Sequence, residues 1–343
     1  MKYCSIYLSI ALALAACGNA EIPATTGPYA FLEGHTMGTT YHITFENAGK
    51  LDLQADVDSV LAAVNMDVST YIDSSYISRF NQSAAGVALD GKHPHFEVNL
   101  KKALEVAEMS GGYFDPTVMP LVNYWGFGYT EKKLSGKADT AMVDSLMQFT
   151  GYRFVNATAG QLVKTRPEVQ LDFSALAKGY GVDAVGWYLE AKGVDNYLVE
   201  IGGEVRARGH NAEGETWRIG INTPAEDALM TDFQAIVRLE NMSMATSGNY
   251  RNFYEVSGAK YSHTINPLTG FPERNTLLSA SVFASDCMTA DALATACMAM
   301  GPIKAMDLIK GLEGVEAYFI TGKEDGSMTV EQTPGVEKLL MKK

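Results

Sequence analysis

The sequence predicts an α+β protein: a single domain of mixed sheets and packed helices, in one or two lobes, over residues 31–343. Strand-like alternation of apolar and polar residues and apolar residues at helical spacing both occur in each half of the chain. Apolar residues form 47% of the 343 residues, enough for one large core or two smaller ones. After residue 30, no repeat, low-complexity tract or proline-rich hinge divides the chain, so one domain is the simplest arrangement.

The amino terminus has the layout of a secretory signal. One lysine precedes an apolar run of about a dozen residues, and small residues follow before Cys17. The tetrad 14–17, LAAC, resembles the bacterial lipobox, in which the cysteine is acylated and becomes the new amino terminus. We expect a signal peptide over 1–16, lipidation of Cys17, a linker over 17–30, and a protein anchored by lipid in the bacterial cell envelope, facing the periplasm. The alternative is an uncleaved anchor, but the apolar run is shorter than the roughly 20 residues that span a bilayer.

Charge and cysteine usage limit the possible partners. The chain carries 27 Lys and Arg against 40 Asp and Glu, a formal net charge of −13, so no nucleic-acid partner is expected. Cys287 and Cys297 could pair in an oxidising compartment. Both lie in apolar runs, which favours two buried thiols.

Several elements are predicted in chain order. The alternating segment 41–45 predicts a strand, and apolar residues at helical spacing predict a helix over 53–66. A helix is expected over 100–109, capped by Asn99 and ended by Gly111 and Gly112. The second half predicts helices at 178–192 and 288–300 and strands at 197–201, 217–221, 233–239 and 277–284.

The segment LDFSALAKGYGVDAV, residues 171–185, contains an aspartate, a serine, a lysine and small residues within one turn. It could form a phosphate cradle, a catalytic pocket or the start of an ordinary helix. Gly179, Gly181 and Gly186 do not match a dinucleotide fingerprint, because the third glycine comes one residue late and the glycines lie within the predicted helix. The glycines are better suited to close helix packing.

Two further stretches hold candidate site residues. Asp291 and Thr295 are four positions apart in the predicted helix, so both side chains share one face and offer hard oxygen ligands suited to Mg²⁺. The alternative is a structural aspartate with a threonine packed behind it. His263 precedes an Asn-Pro-Leu-Thr-Gly turn, where it is either a catalytic acid or base or a structural histidine.

Taken together, the motifs resemble the ApbE family, the FAD:protein FMN transferases, once called thiamine biosynthesis lipoproteins. The resemblance runs from about residue 34 to 325 and rests on eight segments in the expected order. They are HTMGTTYHI (35–43), STYIDSSYISRFN (69–81), GGYFDPTVMPLVNYWGFG (111–128), LDFSALAKGYGVD (171–183), VEIGGEVRARG (199–209), ATSGNYRNF (245–253), SHTINPLTG (262–270) and TADALATA (289–296). The resemblance implies a T-fold-like domain over 31–343.

The resemblance also implies roles for single residues. The FAD-contacting positions are Met37, Tyr71, Tyr113, Phe114, Asp115, Asp172 and Lys178. The Mg²⁺ positions are the backbone carbonyl of Ala175 and the side chains of Asp291 and Thr295, and His263 matches the catalytic histidine. Asn266 departs from the pattern, since the family often has aspartate there. This departure weakens a role for residue 266 in orienting His263, although asparagine still suits the turn.

The implied reaction is Mg²⁺-dependent transfer of FMN from FAD to a threonine or serine of an exported flavoprotein, such as a subunit of an NADH:quinone reductase, with release of AMP. His263 would accept the hydroxyl proton, and Asp291 would bind the ion. Two alternatives remain: a Mg²⁺-dependent FAD pyrophosphatase that uses water, and a flavin-binding lipoprotein without chemistry. An aromatic Tyr71 stacked on the flavin would favour transfer by excluding water.

Overall fold

The fold centres on one large antiparallel sheet. The computed structural model describes residues 28–130, 138–225, 228–229, 231–249, 253–256 and 259–341. The predicted signal peptide, Cys17 and most of the linker lie outside these residues. The predicted linker ends too late, because residues 29 and 30 already belong to the first strand.

The strands are β1 Tyr29–Thr36, β2 Thr39–Glu46, β3 Gly86–Ala88, β4 Val155–Thr158, β5 Gln161–Lys164, β6 Tyr197–Ile201, β7 Glu204–Arg208, β8 Trp217–Asn222, β9 Phe233–Leu239, β10 Met242–Gly248, β11 Phe253–Val256, β12 Ala259–Ser262, β13 Leu277–Ala284, β14 Glu316–Gly322 and β15 Met328–Gln332. Within the described residues, eight of them form the main sheet in the order β1-β2-β6-β7-β10-β13-β14-β15. Every neighbouring pair in it is antiparallel.

The helices are α1 Gln54–Val68, α2 Tyr76–Gln82, α3 Pro94–Met109, α4 Met119–Tyr124, α5 Thr140–Met147, α6 Ala177–Ala191, α7 Cys287–Met300, α8 Pro302–Lys310 and α9 Val336–Leu339. One face of the main sheet packs against α1, α3, α6 and α7. The opposite face packs against the hairpin β8-β9 and α9.

Alternation along β14 shows how one strand serves both layers. Ala317 and Phe319 point to the helices, whereas Tyr318 and Ile320 point to the hairpin side. Since successive side chains of a strand point to opposite faces, the run of apolar and aromatic residues at 317–320 of β14 is buried on both sides of the sheet. The expected α+β class is confirmed, in a single domain.

Most predicted elements are present, with ends shifted by a few residues. The predicted segments correspond to β2, α1, α6, β6, β8, β9, β13 and α7. The predicted start of the helix near residue 100 is wrong. Helix α3 begins at Pro94, and the side chain of Asn99 is buried inside it, donating to the carbonyl of His95 at 2.7 Å. Proline suits a first helical turn because its missing N–H has no intrahelical partner there.

Helices α6 and α7 carry most of the candidate chemistry, and Asp183 joins them. Its two carboxylate oxygens accept hydrogen bonds from the backbone N–H groups of Cys287 and Met288, at the start of α7. Arg206 on β7 donates to Asp183 at 2.9 Å. The carboxylate therefore satisfies two of the orphan N–H groups of α7 and fixes that helix against α6 and the sheet.

Cys287 and Cys297 are free and buried, which confirms the expectation of two buried thiols. Burial raises the pKa of each thiol. Among the residues the structure describes, no helix combines the length and apolar character needed to cross a membrane.

Candidate active site

A cleft of about 710 Å³ opens where α6, α7, the β6-β7 turn and the end of β10 meet. A small apolar cluster is built on α4, α5 and the turn after His263, and Ile265 of that cluster also lines the cleft. Predicted site residues that line the cleft are Tyr71, Asp172, Ala175, Lys178, His263, Asp291 and Thr295. Four widely separated motifs therefore meet in one place.

The turn that begins with Asp172 leads into α6. The backbone N–H of Asp172 donates to the carbonyl of Pro116 at 2.7 Å, and its Oδ1 accepts bonds from the N–H and hydroxyl of Ser174. Burial raises the pKa of Asp172, although the bonds from Ser174 oppose this shift. The turn is an Asx-type turn that directs Ala175 and Lys178 toward the cleft.

Lys178 lies between two buried carboxylates. Its Nζ is 2.9 Å from Oε1 of Glu204 and 3.8 Å from Oδ2 of Asp291. Burial alone would lower the pKa of Lys178, but the carboxylates of Asp291 and Glu204 outweigh it and raise the pKa. The lysine therefore stays charged at neutral pH.

The carboxyl groups of Glu204 and Asp291 share one lysine, which cannot neutralise both when both are ionised. Burial raises the pKa of Glu204 to about 7 and raises that of Asp291, while Lys178 opposes both shifts. Asp291 Oδ2 also accepts the backbone N–H of Gly179 at 3.0 Å. The hydroxyl of Thr295, one turn further along α7, lies 3.4 Å from that of Ser247 on β10.

His263 lies at the cleft just before a tight turn. Its ring contacts Phe127 edge to face, with 6.4 Å between ring centroids. The next residue, Thr264, donates its hydroxyl to Asn249 Oδ1 at 3.0 Å. These contacts hold the backbone and ring of the predicted base against one wall of the cleft.

Asn266 supports the turn rather than the imidazole. Its side-chain oxygen accepts the N–H of Leu268 at 2.9 Å, and its amide donates to Glu273 Oε2 at 2.8 Å. The expectation that asparagine serves the turn is confirmed.

Four of the predicted FAD contacts lie outside the cleft. Tyr113 contacts Lys304, and Phe114 is buried in the main core. Asp115 accepts bonds from Thr117 and from the N–H of Tyr152, so its carboxylate holds a turn. The fourth residue is Met37, described next. FAD contacts at all four positions stay predictions.

Met37 occupies the two-residue turn between β1 and β2. Met37 and Gly38 both have positive φ, +50° and +74°, as in a type I′ hairpin turn. A methionine in this region is unusual, because positive φ crowds any side chain. The turn borders the cleft through Thr39, whose side chain lies against Gly202, and Gly202 lines the cleft.

Comparison with known proteins agrees with this arrangement. The profile of the ApbE family matches residues 37–319, which is most of the chain. The FAD:protein FMN transferase of Vibrio cholerae is 38% identical over 330 residues, covering 95% of this chain and 96% of the relative. The chain belongs to the ApbE family.

Solved structures show the same fold. The flavin transferase ApbE from Vibrio cholerae superimposes with a TM-score of 0.83 at 36% identity, covering 92% of this chain and 100% of that one. The apo form of the Pseudomonas stutzeri flavinyl transferase ApbE gives a TM-score of 0.81 at 32% identity, covering 91% and 97%. The resemblance inferred from the eight motifs is confirmed.

Among the charged residues that line the ApbE cleft, sequence reasoning missed Glu204. Only 4% of it is exposed, and its Oε2 has no hydrogen-bond partner among the described residues. It lies inside the motif VEIGGEVRARG, where a glutamate followed by alternating Arg residues suggests a solvent-facing position. The sequence feature that could have indicated a site residue is the position of Glu204 directly after two glycines.

The donor set fits a hard divalent cation. Within the described ranges, no three His, Cys, Asp or Glu side chains converge to hold a metal by themselves. A cation here would therefore need the carbonyl of Ala175 and the hydroxyl of Thr295 beside Asp291, and Mg²⁺ accepts such mixed oxygen sets together with water. Three carboxylates line the cleft and, among the described lining residues, Lys178 is the only Lys or Arg, so excess negative charge favours a cation.

Proposed function

We propose that this protein transfers the FMN moiety of FAD to a threonine or serine hydroxyl of an exported flavoprotein subunit, with Mg²⁺ bound in the cleft. The family supplies the reaction class, since its relatives carry the name FAD:protein FMN transferase. The observation that carries the proposal is the convergence of His263, Lys178, Asp291 and Thr295 in one cleft. A protein that only bound flavin would not need this set.

The reaction breaks the phosphoanhydride bond of the pyrophosphate and forms a phosphoester bond to the acceptor. The acceptor oxygen bonds to the FMN-side phosphorus, and the bond from that phosphorus to the bridging oxygen breaks, so AMP leaves with the bridging oxygen. His263 accepts the proton of the attacking hydroxyl. Its place on the wall formed with Phe127 leaves the imidazole facing the cleft that would hold the pyrophosphate.

Negative charge is the main obstacle in this cleft. A pyrophosphate carries two negative charges, and the carboxyl groups of Asp172, Glu204 and Asp291, which line the cleft, add to them when ionised. Ala175, Asp291 and Thr295 would hold Mg²⁺, which when bound neutralises phosphate oxygens and fixes their geometry. Lys178 adds a permanent positive charge on the floor of the same cleft.

Tyr71 bears on the choice between transfer and hydrolysis. Tyr71 is 67% exposed at the cleft. Partial burial of its hydroxyl and the nearby carboxylate of Asp172 both raise its pKa. An exposed ring at this position is free to stack on an isoalloxazine and cover the reacting phosphorus from water. The second candidate, a Mg²⁺-dependent FAD pyrophosphatase, uses the same residues with water as nucleophile.

The protein's location forms part of the proposal. Lipidation at Cys17 after removal of residues 1–16 would place the domain at the periplasmic face of the cell envelope, where acceptor subunits of NADH:quinone reductase-like complexes are exposed. Metabolic labelling with a radioactive fatty acid should label the full chain expressed in bacteria and leave a Cys17→Ala variant unlabelled. Equal labelling of both would contradict lipidation at Cys17.

The function is tested with the lipid-free chain, residues 18–343, incubated with FAD, Mg²⁺ and an exported flavoprotein domain. A denaturing gel under ultraviolet light should show a fluorescent acceptor band. The same domain with its acceptor hydroxyl replaced by alanine should stay dark. AMP release without a fluorescent band for any flavoprotein domain would point to the pyrophosphatase.

A further inference from the structure

Glu204 is buried beside the candidate cation site without belonging to the predicted ligand set. The turn that joins β6 and β7 consists of Gly202 and Gly203, with φ of +60° and +104°, and Glu204 pairs with Ile201 directly after it. Val205 packs on the hairpin side of the sheet, so Glu204 points to the opposite, helical side. The position of its carboxylate is therefore fixed by the main sheet.

Glu204 and Asp291 compete for the same ammonium group. Lys178 Nζ is 2.9 Å from Glu204 and 3.8 Å from Asp291, so the closer contact is with the carboxylate outside the ligand set. Only 4% of Glu204 and 2% of Asp291 are exposed, which leaves little solvent to weaken either attraction. Without Glu204, Asp291 would be the carboxylate partner left to Lys178 among the residues that the structure describes.

A lysine paired closely with Asp291 would oppose cation binding in two ways. It would compete with the cation for the negative charge of the Asp291 carboxylate, and its own positive charge would repel the ion at short range. The distances show the opposite arrangement: Asp291 accepts a hydrogen bond on Oδ2 from Gly179, and the ammonium is drawn toward Glu204.

We propose that Glu204 is a positioning residue that holds the ammonium of Lys178 away from Asp291 and so keeps the Asp291 carboxylate open to a divalent cation. The inference rests on the cation site of the proposed function. It assigns Glu204 no contact with the ion. The lysine stays in the cleft, where its charge can face a phosphate.

The test measures Mn²⁺ binding to the lipid-free chain without FAD, by electron paramagnetic resonance of free Mn²⁺. The variants are Glu204→Gln, Lys178→Met and the double variant. Glu204→Gln should weaken Mn²⁺ binding roughly 10- to 100-fold, the usual range for residues that orient a metal ligand. Lys178→Met should bind at least as tightly as the unmodified protein, and the double variant should match Lys178→Met.

Glu316→Gln is the matched control. Glu316 on β14 accepts a backbone N–H from Gly335 at 3.0 Å and does not line the cleft. It should leave Mn²⁺ affinity unchanged, which separates the local effect from the loss of one negative charge. Circular dichroism and urea unfolding show whether each variant folds.

Three results would overturn the proposal. Unchanged Mn²⁺ affinity in Glu204→Gln would show that Lys178 does not move onto Asp291. A double variant that binds Mn²⁺ more weakly than Lys178→Met would mean that Glu204 acts on the ion directly. This comparison can be made even if Glu204→Gln alone does not fold. Failure of the unmodified protein to bind Mn²⁺ would contradict the cation site of the proposed function itself.

Discussion

The carboxylate of Asp291 accepts a hydrogen bond from the backbone N–H of Gly179 at 3.0 Å. The two residues lie on α7 and α6, which carry the predicted cation ligand and the cleft lysine respectively. Through this bond, the main chain of α6 orients one carboxylate oxygen of Asp291. The distance between these helices therefore sets the geometry of the candidate site.

Gly179→Ala should disturb this geometry. A Cβ at residue 179 would overlap the carbonyl oxygen of Cys287 and lie 2.9 Å from Cβ of Asp291. Since buried backbone cannot move aside cheaply, we expect a loss of about 1–3 kcal/mol in the free energy of unfolding. Weaker Mn²⁺ binding should accompany it. Urea unfolding and Mn²⁺ titration measure both effects.

Gly49→Ala is the control for that substitution. Gly49 lies in a surface loop, and the nearest atom to a new Cβ there is a Leu51 side-chain carbon at 3.7 Å. Stability and Mn²⁺ affinity should stay close to those of the unmodified protein. Equal behaviour of the two variants would show that contact between α6 and α7 does not define the site.

Asp291→Ala should abolish Mg²⁺-dependent release of AMP from FAD, because the substitution removes the negative side chain of the candidate cation site. Folding should survive, since Lys178 keeps its 2.9 Å contact with Glu204. The assay follows AMP in the presence and absence of Mg²⁺. Full turnover in this variant would remove Asp291 from the site.

Asp286→Ala separates that effect from damage to helix α7. Asp286 caps α7 by accepting the N–H of Thr289 at 2.8 Å, and it does not line the cleft. Loss of a helix cap costs about 1 kcal/mol. This variant should be less stable and still release AMP.

Asp172→Ala should weaken FAD binding measured by calorimetry. Both bonds from Ser174 fall on Oδ1, so the second oxygen is available to a hydrogen-bonding edge of the flavin nucleotide. A hydrogen bond to a charged group contributes about 1.5–3 kcal/mol, which corresponds to roughly 10- to 100-fold in affinity. Asp139→Ala, at the cap of α5, is the control. Unchanged affinity in Asp172→Ala would contradict a flavin contact.

Asn266→Asp should destabilise the fold. The amide of Asn266 donates to Glu273 Oε2 at 2.8 Å, so the substitution would place two carboxylates in contact. We expect a loss of about 1–3 kcal/mol at neutral pH, and a smaller loss at low pH, where one carboxylate takes up a proton.

The additional substitution Glu273→Gln should restore much of that stability, because an amide can again donate across the contact. Urea unfolding of the single and double variants at two pH values checks this coupling. Additive effects of the two substitutions would contradict direct repulsion as the cause.

The sequence predicts the parts of this molecule that local pattern controls. Helices α1, α6 and α7 have apolar or small residues at close to regular spacing, and β13 is a long apolar run. The predicted cap at Asn99 is wrong because asparagine is a common helix cap, whereas the burial of Asn99 inside α3 depends on how that helix packs. Glu204 has only the two preceding glycines as a local signal, because its charged neighbours in the cleft, Lys178 and Asp291, are distant in sequence.

The decisive measurement is the ratio of AMP released to FMN attached, obtained by nucleotide chromatography and intact mass spectrometry of the acceptor. The lipid-free chain, FAD and Mg²⁺ are incubated with an exported flavoprotein domain. The proposed function predicts one attached FMN for each AMP, with both products lost together in a His263→Gln variant. AMP accumulating without any attached FMN, or labelling that survives unchanged in His263→Gln, would contradict it.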